Sequence, residues 1–241
     1  MIDVVCYYVD FGRPYQPLME RMCASAKRVM DCRTVIMTPT PRPWMDDVFD
    51  HVAPHTSVTE QKVTLDNLCQ QRSEAMMSWA ALTRRDTLFV DPDLEFIAPP
   101  PFDDSFDVGL LWQRDRMTMP VNTGAILCRP GQREFWLMYG NSVVNLPGRI
   151  HGWWCDQLGF SLMLGTQHAP GDRLVSCGAR VWLMDGPDHC DTPKRITPNA
   201  WAKHYKGRLK GEGWAKIFQD DVFSKDLFPE FVNLRSSRFA A

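Results

Sequence analysis

Short apolar runs alternate with amphipathic segments through the first half of the chain. Apart from Asp3, residues 2–9 are apolar, β-branched or aromatic, as expected for a strand buried on both faces. Residues 16–30 then place apolar side chains at steps of three and four, which predicts a helix with one apolar face. Such alternation with short connections is typical of a mostly parallel sheet. We therefore predict an α/β, Rossmann-like fold with helices on both faces of a mostly parallel central sheet.

The same patterns predict further elements along the chain. Strands are predicted at 34–37, 87–90, 94–97, 107–112 and 121–128, and helices at 66–82, 134–144 and 154–164. The sequence shows no internal repeat and no low-complexity linker. We predict one domain over residues 1–241.

Composition excludes several classes of protein. Of the 241 residues, 44% are hydrophobic and 23% charged, which is typical of a globular domain. A net charge of -2 argues against a chain built to coat nucleic acid. No apolar run is long enough to span a membrane, and the first residues resemble a strand rather than a signal peptide. Eight cysteines without C-x-x-C spacing predict free thiols in a reducing cytosol rather than a zinc site.

An Asp-x-Asp pair, Asp91 and Asp93, follows the predicted strand 87–90. Ligands of parallel sheets bind at the carboxyl ends of strands, and Pro92 stiffens the turn between the two carboxylates. Such a pair can hold one Mg²⁺ or Mn²⁺, which would bridge it to a diphosphate. The motif is expected by chance about 0.6 times in a chain of this composition. An acidic turn that only caps the strand is therefore an open alternative.

A second pattern, His204-x-x-Gly207-x-x-Lys210, lies near the end of the chain. A neutral imidazole is a good manganese ligand beside carboxylates. Glycine allows the backbone to approach a phosphate, and lysine supplies a point charge for it. Together these residues could clamp a metal and a diphosphate. The alternative is an exposed basic loop.

The two patterns together resemble the glycogenin and bacterial lipooligosaccharide galactosyltransferase family, which contains retaining glycosyltransferases of the GT-A fold. The family motif continues Lys-Pro-Trp, whereas this chain has Lys210-Gly-Glu-Gly-Trp214, without the proline and with the tryptophan two residues later. Residues 121–127 resemble the family's Phe-Asn-Ser-Gly-Val-Met-Leu segment. The shared order of short segments extends from about residue 2 to 214, which makes the resemblance specific.

The resemblance implies a role for each matching residue. An Asp-Gln pair lies near the reacting sugar carbon of the family, an arginine contacts the donor, and the end of the first strand forms the base pocket. By position, the implied catalytic residues are Asp156 and Gln157, the metal ligands are Asp91, Asp93 and His204, and the donor contacts are Asp10, Tyr15, Arg72, Asn122, Gly124, Gly207 and Lys210.

The implied activity is metal-dependent transfer of a sugar from a nucleoside-diphosphate donor, a UDP-sugar, to an acceptor hydroxyl with retention. The cofactor would be Mn²⁺ or Mg²⁺, and the location cytoplasmic. Residues 1–112 would bind the nucleotide sugar and 113–223 the acceptor, while the basic-aromatic tail 224–241 packs on the domain or makes weak membrane contact. Trp153 and Trp154 could form an acceptor platform or belong to the core.

Other functions stay open on the residues alone. A nucleotidyltransferase of similar fold would usually open with a glycine-rich loop, whereas the first strand here is followed by the single glycine Gly12. A non-catalytic nucleotide- or carbohydrate-binding module is a further alternative, and a nuclease would need more clustered acids. The acceptor could be a glycan, a lipid-linked glycan, a protein or a modified nucleobase.

Overall fold

The computed structural model describes residues 1–10, 15–55, 63–64, 67–112, 120–146, 155–185, 189–190 and 200–204. The chain divides into two units, Met1–His204 and Tyr205–Ala241. All described residues belong to the first unit. The predicted single domain, with its halves and tail, therefore stays a prediction.

Eleven strands and five helices occupy the described residues. The strands are β1 (Ile2–Tyr7), β2 (Cys32–Thr38), β3 (His51–Pro54), β4 (Thr87–Val90), β5 (Leu94–Phe96), β6 (Val108–Trp112), β7 (Val121–Cys128), β8 (Arg173–Ser176), β9 (Ala179–Asp185), β10 (His189–Cys190) and β11 (Ala202–His204). The helices are α1 (Gln16–Val29), α2 (Pro43–Val48), α3 (Leu68–Leu82), α4 (Arg133–Val144) and α5 (Cys155–Leu164).

The central sheet has eight strands in the order β3-β2-β1-β4-β7-β6-β9-β8. Strands β3, β2, β1 and β4 are mutually parallel, and β6 pairs in parallel with β9. Strand β7 is antiparallel to both of its neighbours, as is β8 to β9. Six strands thus point in one direction, and the predicted α/β fold with a mostly parallel sheet is confirmed.

Alternate side chains of β1 enter separate apolar clusters on the two faces of the sheet. Val4 and Cys6 pack in a cluster with the buried face of α1, while Val5 and Tyr7 pack in a cluster with α3, α4 and α5. Burying both faces of a strand explains why residues 2–9, apart from Asp3, are apolar without alternation. Helices therefore cover both faces, as predicted.

The predicted elements agree with the structure to within two residues at each end, and 87–90 and 121–128 match β4 and β7 residue for residue. The sequence patterns missed α2, β3 and the strands β8 to β11. Helix α2 starts at Pro43, and the fixed φ of proline suits the first turn of a helix. In the sequence, however, a proline is also a signal for a loop. Strands β3 and β8 lie at the edges of the sheet and have few buried residues, so their sequences lack an apolar run.

A second sheet has three strands in the order β10-β11-β5. Strand β5 begins directly after Asp93, and β11 pairs with it antiparallel so that His204 is opposite Leu94. Helix α1 holds β5 in place because Ser25 Oγ accepts the Phe96 N–H at 3.0 Å and Arg28 donates to the Phe96 carbonyl at 3.1 Å.

None of the described helices is both long enough and apolar enough to cross a membrane.

Replacing Ser25 with alanine should lower the free energy of unfolding by about 1–3 kcal/mol, because the buried Phe96 N–H would lose its acceptor. Denaturant unfolding measures this change. The matched control is Ser78→Ala on α3, where an exposed hydroxyl donates to the Glu74 carbonyl, and its effect should stay within about 0.5 kcal/mol. Equal losses in the two variants would contradict the role given to Ser25.

Candidate metal and donor site

The acidic pair lies in the turn between β4 and β5. The Asp91 N–H donates to the Gly124 carbonyl of β7 at 2.9 Å, and the Leu94 N–H donates to the Asp91 carbonyl at 3.3 Å. These bonds fix the backbone on both sides of Pro92. Asp93 is buried, with 3% of its surface exposed, while the Asp91 side chain is partly exposed.

His204 meets both carboxylates although it is more than a hundred residues away in sequence. Its Nε2 lies 3.1 Å from Asp93 Oδ1 and 3.3 Å from Asp91 Oδ2. The β5–β11 pairing produces this contact, because it sets His204 opposite the residue that follows Asp93. An imidazole nitrogen that faces two carboxylate oxygens either donates a proton to them or shares a cation with them.

The geometry of these three residues fits a divalent cation. One ligand atom from each lies within 4.8 Å of the others. Two ligands on adjacent corners of an octahedron with bonds of about 2.1 Å are about 3.0 Å apart, which is close to both contacts of His204. Two carboxylates with one imidazole are a donor set that could hold a divalent cation. The structure thus brings together all three predicted metal ligands.

Gly124 makes room for the imidazole. A Cβ added there would lie 2.7 Å from His204 Cε1 and 2.9 Å from Nδ1, closer than van der Waals contact allows. Asn122 Oδ1 accepts the Gly124 N–H at 2.8 Å and so fixes this part of β7. Gly124 and Asn122, predicted as donor contacts, therefore shape the part of β7 that lies beside His204, a predicted metal ligand.

Arg72 connects the acidic pair to a third carboxylate. Its guanidinium lies 2.9 Å from Asp91 Oδ1 and 3.0 Å from Asp156 Oδ2, and it donates to the Thr123 carbonyl at 2.6 Å. Burial alone would lower the pKa of Arg72, but Asp91 and Asp156 more than offset this and raise it. Arg72 thus stays charged and bridges α3, β4, β7 and α5.

Asp156 is buried, and both of its carboxylate oxygens accept hydrogen bonds. Its Oδ2 accepts from the Thr123 hydroxyl at 2.8 Å and from Arg72, and its Oδ1 accepts from the Gln157 N–H at 2.8 Å. Burial raises the pKa of Asp156, while Arg72 and Thr123 act in the opposite direction. Only 1% of Asp156 is exposed, whereas Gln157 is partly exposed. The carboxylate is thus arranged to hold Arg72.

A second polar group lies beyond the carboxyl end of β1. The Asp10 carboxylate pairs with Arg42 at 2.7 Å, and the Asp10 N–H donates to Thr40 Oγ1 at 3.0 Å. The Tyr8 ring lies 5.3 Å from the ring of Tyr15. Since β1 and β4 are parallel neighbours, Asp10 and Asp91 follow strands that end at the same edge of the sheet.

Some predicted residues fall outside the described structure. These are Gly207, Lys210, Trp153, Trp154 and Trp214, and the tail 224–241. Conversely, sequence patterns gave no role to Thr123 or Tyr139. Thr123 stands between two predicted donor contacts, which was a usable signal, whereas Tyr139 has the spacing of an ordinary core residue on a helix.

Three solved structures share this architecture. The galactosyltransferase LgtC in complex with donor and acceptor sugar analogs has a TM-score of 0.57 at 12% identity, over 90% of this chain and 94% of LgtC. An active-site mutant of LgtC gives 0.56 at 12% identity, over 98% and 95%. A glycosyltransferase involved in the glycosylation of the major capsid of PBCV-1 gives 0.52 at 12% identity, over 87% and 95%.

At this level of identity the likeness establishes the fold, and the predicted GT-A-like fold is confirmed. No protein-family model matches the sequence, and neither does any curated protein.

Gly124→Ala should weaken Mn²⁺ binding by about 10- to 100-fold, because the new methyl group displaces the His204 ring from the carboxylates. Titration calorimetry with Mn²⁺ measures the affinity. Gly109→Ala in β6 is the control, since the atoms nearest to its added Cβ belong to Leu127, Phe106 and Met184, at 3.3–3.4 Å, and none of these residues belongs to the site. Unchanged Mn²⁺ affinity in a folded Gly124→Ala variant would remove this role.

Proposed function

We propose that this chain is a metal-dependent glycosyltransferase that moves a sugar from a nucleoside-diphosphate donor to an acceptor hydroxyl. The observation that carries the proposal is the grouping of Asp91, Asp93 and His204 at the carboxyl edge of the sheet. The fold is shared with a galactosyltransferase solved in complex with donor and acceptor sugar analogs. Ligands of open α/β sheets bind at this edge.

The charges of the site support a divalent cation. Asp91, Asp93 and Asp156 bring three carboxylates together, and Arg72 offsets one of them. A divalent ion between Asp91, Asp93 and His204 would bring the group close to neutrality, and Mn²⁺ or Mg²⁺ fits the donor set. When bound, the cation would offset the charge of the diphosphate and stabilise it as a leaving group.

The residues around the ion would fix its ligands before the donor arrives. Arg72 holds Oδ1 of Asp91, so the other oxygen, Oδ2, stays directed at His204. Gly124 leaves space for the His204 imidazole beside the carboxylates. The hydrogen bond from the Asp91 N–H to the Gly124 carbonyl keeps the turn close to β7. Ligands held in this way need little rearrangement during the reaction. Gly207 and Lys210 are the proposed contacts of the diphosphate.

Asp156 and Gln157 are the proposed sugar-site residues. Gln157 is neutral and cannot act as a strong nucleophile, but its amide can hydrogen-bond the sugar or the departing diphosphate. Asp156 supports this arrangement by orienting Arg72, since both of its oxygens accept hydrogen bonds. Retention of the anomeric configuration rests on the family resemblance.

The group beyond β1 is the proposed site for the nucleotide base, with UDP-sugars as the donor class. Tyr15 is partly exposed and offers an aromatic face, with the buried Tyr8 behind it, and Asp10 offers acceptor oxygens beside Arg42. A glycan, a lipid-linked glycan, a protein or a modified nucleobase is the proposed acceptor. Seven cysteines are free thiols in the described structure, which agrees with the proposed cytosolic location.

Purified protein with Mn²⁺ should slowly hydrolyse at least one nucleotide sugar in a panel, with the nucleoside diphosphate as the released product. Asp93→Asn should lower this rate by at least about 100-fold, because an amide is a poor substitute for a carboxylate ligand. The control is Asp46→Asn, an exposed residue on α2. Chromatography of the nucleotide products measures each rate.

The products also distinguish the alternatives. Release of pyrophosphate would indicate nucleotidyl transfer instead. Tight sugar binding without metal and without turnover would indicate a binding module. Full activity in the Asp93→Asn variant would refute the metal assignment.

A further inference from the structure

A buried pair of hydroxyls lies behind Asp156, on the side away from its carboxylate. Ser73 Oγ of α3 and the Tyr139 hydroxyl of α4 are 2.8 Å apart, and Tyr139 donates to the Asp156 backbone carbonyl at 3.2 Å. Tyr139 has no exposed surface and Ser73 has 1%. The pair thus connects α3, α4 and the first turn of α5.

The number of hydroxyl hydrogens limits which group can donate in each of these hydrogen bonds. Ser73 Oγ also lies 2.9 Å from the Cys69 carbonyl, so two hydroxyl hydrogens face three contacts. The Cys69 carbonyl is already an acceptor in the helix ladder, whose bonds join residues four apart. The Tyr139 hydroxyl donates to the Asp156 carbonyl, so the Tyr139 oxygen can accept from Ser73, whose single hydrogen also has the Cys69 carbonyl within reach. Burial raises the pKa of Tyr139 well above its ordinary value, so the phenol keeps the proton that it donates.

Close packing fixes the position of the Tyr139 ring. It stacks on Phe160 with centroids 3.9 Å apart and an interplanar angle of 18°, and Trp136 meets it edge-on at 5.6 Å. Gly159 brings α5 so close that an added Cβ would lie 3.2 Å from the ring. A ring held on these sides leaves its hydroxyl little freedom of direction.

The hydroxyl pair is linked to the metal ligands through two further contacts. The residue whose carbonyl accepts from Tyr139 also holds Arg72 with its carboxylate, and Arg72 holds Asp91. Ser73 and Arg72 are neighbours on α3. The pair therefore sets the position of the first turn of α5 against the helix that carries Arg72.

We propose that Tyr139, assisted by Ser73, is a positioning residue that sets Asp156 so that its carboxylate directs Arg72 toward Asp91. Neither hydroxyl contacts substrate in this role. The kinetic consequence rests on the proposed function, whereas the consequence for the first turn of α5 does not.

Tyr139→Phe keeps the stacked ring and removes only the hydroxyl. The kcat for Mn²⁺-dependent hydrolysis of the nucleotide sugar should fall about fivefold to tenfold, because one positioning hydrogen bond is lost. The KM for the donor should stay within about twofold, since the contacts proposed for binding remain. The control is Ser142→Ala, also on α4, which removes a buried hydroxyl that donates to the Met138 carbonyl. It should leave kcat unchanged.

A double variant tests whether the two hydroxyls act in series. If Ser73 acts through Tyr139, the Ser73→Ala/Tyr139→Phe protein should be no slower than Tyr139→Phe alone. If the losses in kcat of the two single variants multiply in the double variant, Ser73 does not act through Tyr139. If Tyr139→Phe does not fold, Ser73→Ala alone should still lower kcat, and an unchanged kcat would overturn the proposal.

Hydrogen exchange separates failure of this inference from failure of the proposed function. Amides of residues 155–160 should exchange faster in Tyr139→Phe than in wild type or Ser142→Ala. If the wild type releases no nucleoside diphosphate, the proposed function fails, and hydrogen exchange alone then tests the positioning role of Tyr139. Unchanged exchange at 155–160, or an unchanged kcat in an active Tyr139→Phe enzyme, would overturn the positioning role.

Discussion

The site is organised around the largely buried guanidinium of Arg72, whose side chain is 13% exposed. Asp91 belongs to the turn after β4, Asp156 to the first turn of α5, and Thr123 to β7, and Arg72 contacts all three. Without the positive charge of Arg72 between them, the carboxylates of Asp91 and Asp156 would repel each other in this poorly solvated site. One planar group with several donors in fixed directions can hydrogen-bond to both carboxylates and orient them, although its single charge offsets only one of them.

The second constraint is the short pairing between β5 and β11. Asp93 directly precedes β5, and His204 ends β11, so backbone hydrogen bonds rather than side chains bring these ligands together. Contacts of α1 with Phe96 support the same strand from the other side. A ligand from a late part of the sequence thereby becomes as well placed as one from the adjacent turn.

Sequence patterns could predict what depends on local chemistry. Strands β4 and β7 are buried along their whole length and most of their residues are apolar, and Asp91, Asp93 and His204 belong to motifs with a defined spacing. Edge strands such as β8 lack that apolar signal. Tyr139 could not be found, because its role depends on which helices pack together, and an isolated sequence does not contain that information. Arg72 was predicted as a donor contact, and its pairing with Asp91, Asp156 and Thr123 could not be predicted from the sequence.

The reversed direction of β7 has a consequence for how such a site can vary. In a parallel strand, only residues beyond the carboxyl end reach the ligand edge, and they usually belong to loops. Because β7 runs the opposite way, Asn122, Thr123 and Gly124 reach that edge from inside a buried strand. Changes to these residues would also disturb the core of the sheet. A change at Asn122, Thr123 or Gly124 therefore carries a cost in folding stability that a change in a surface loop does not.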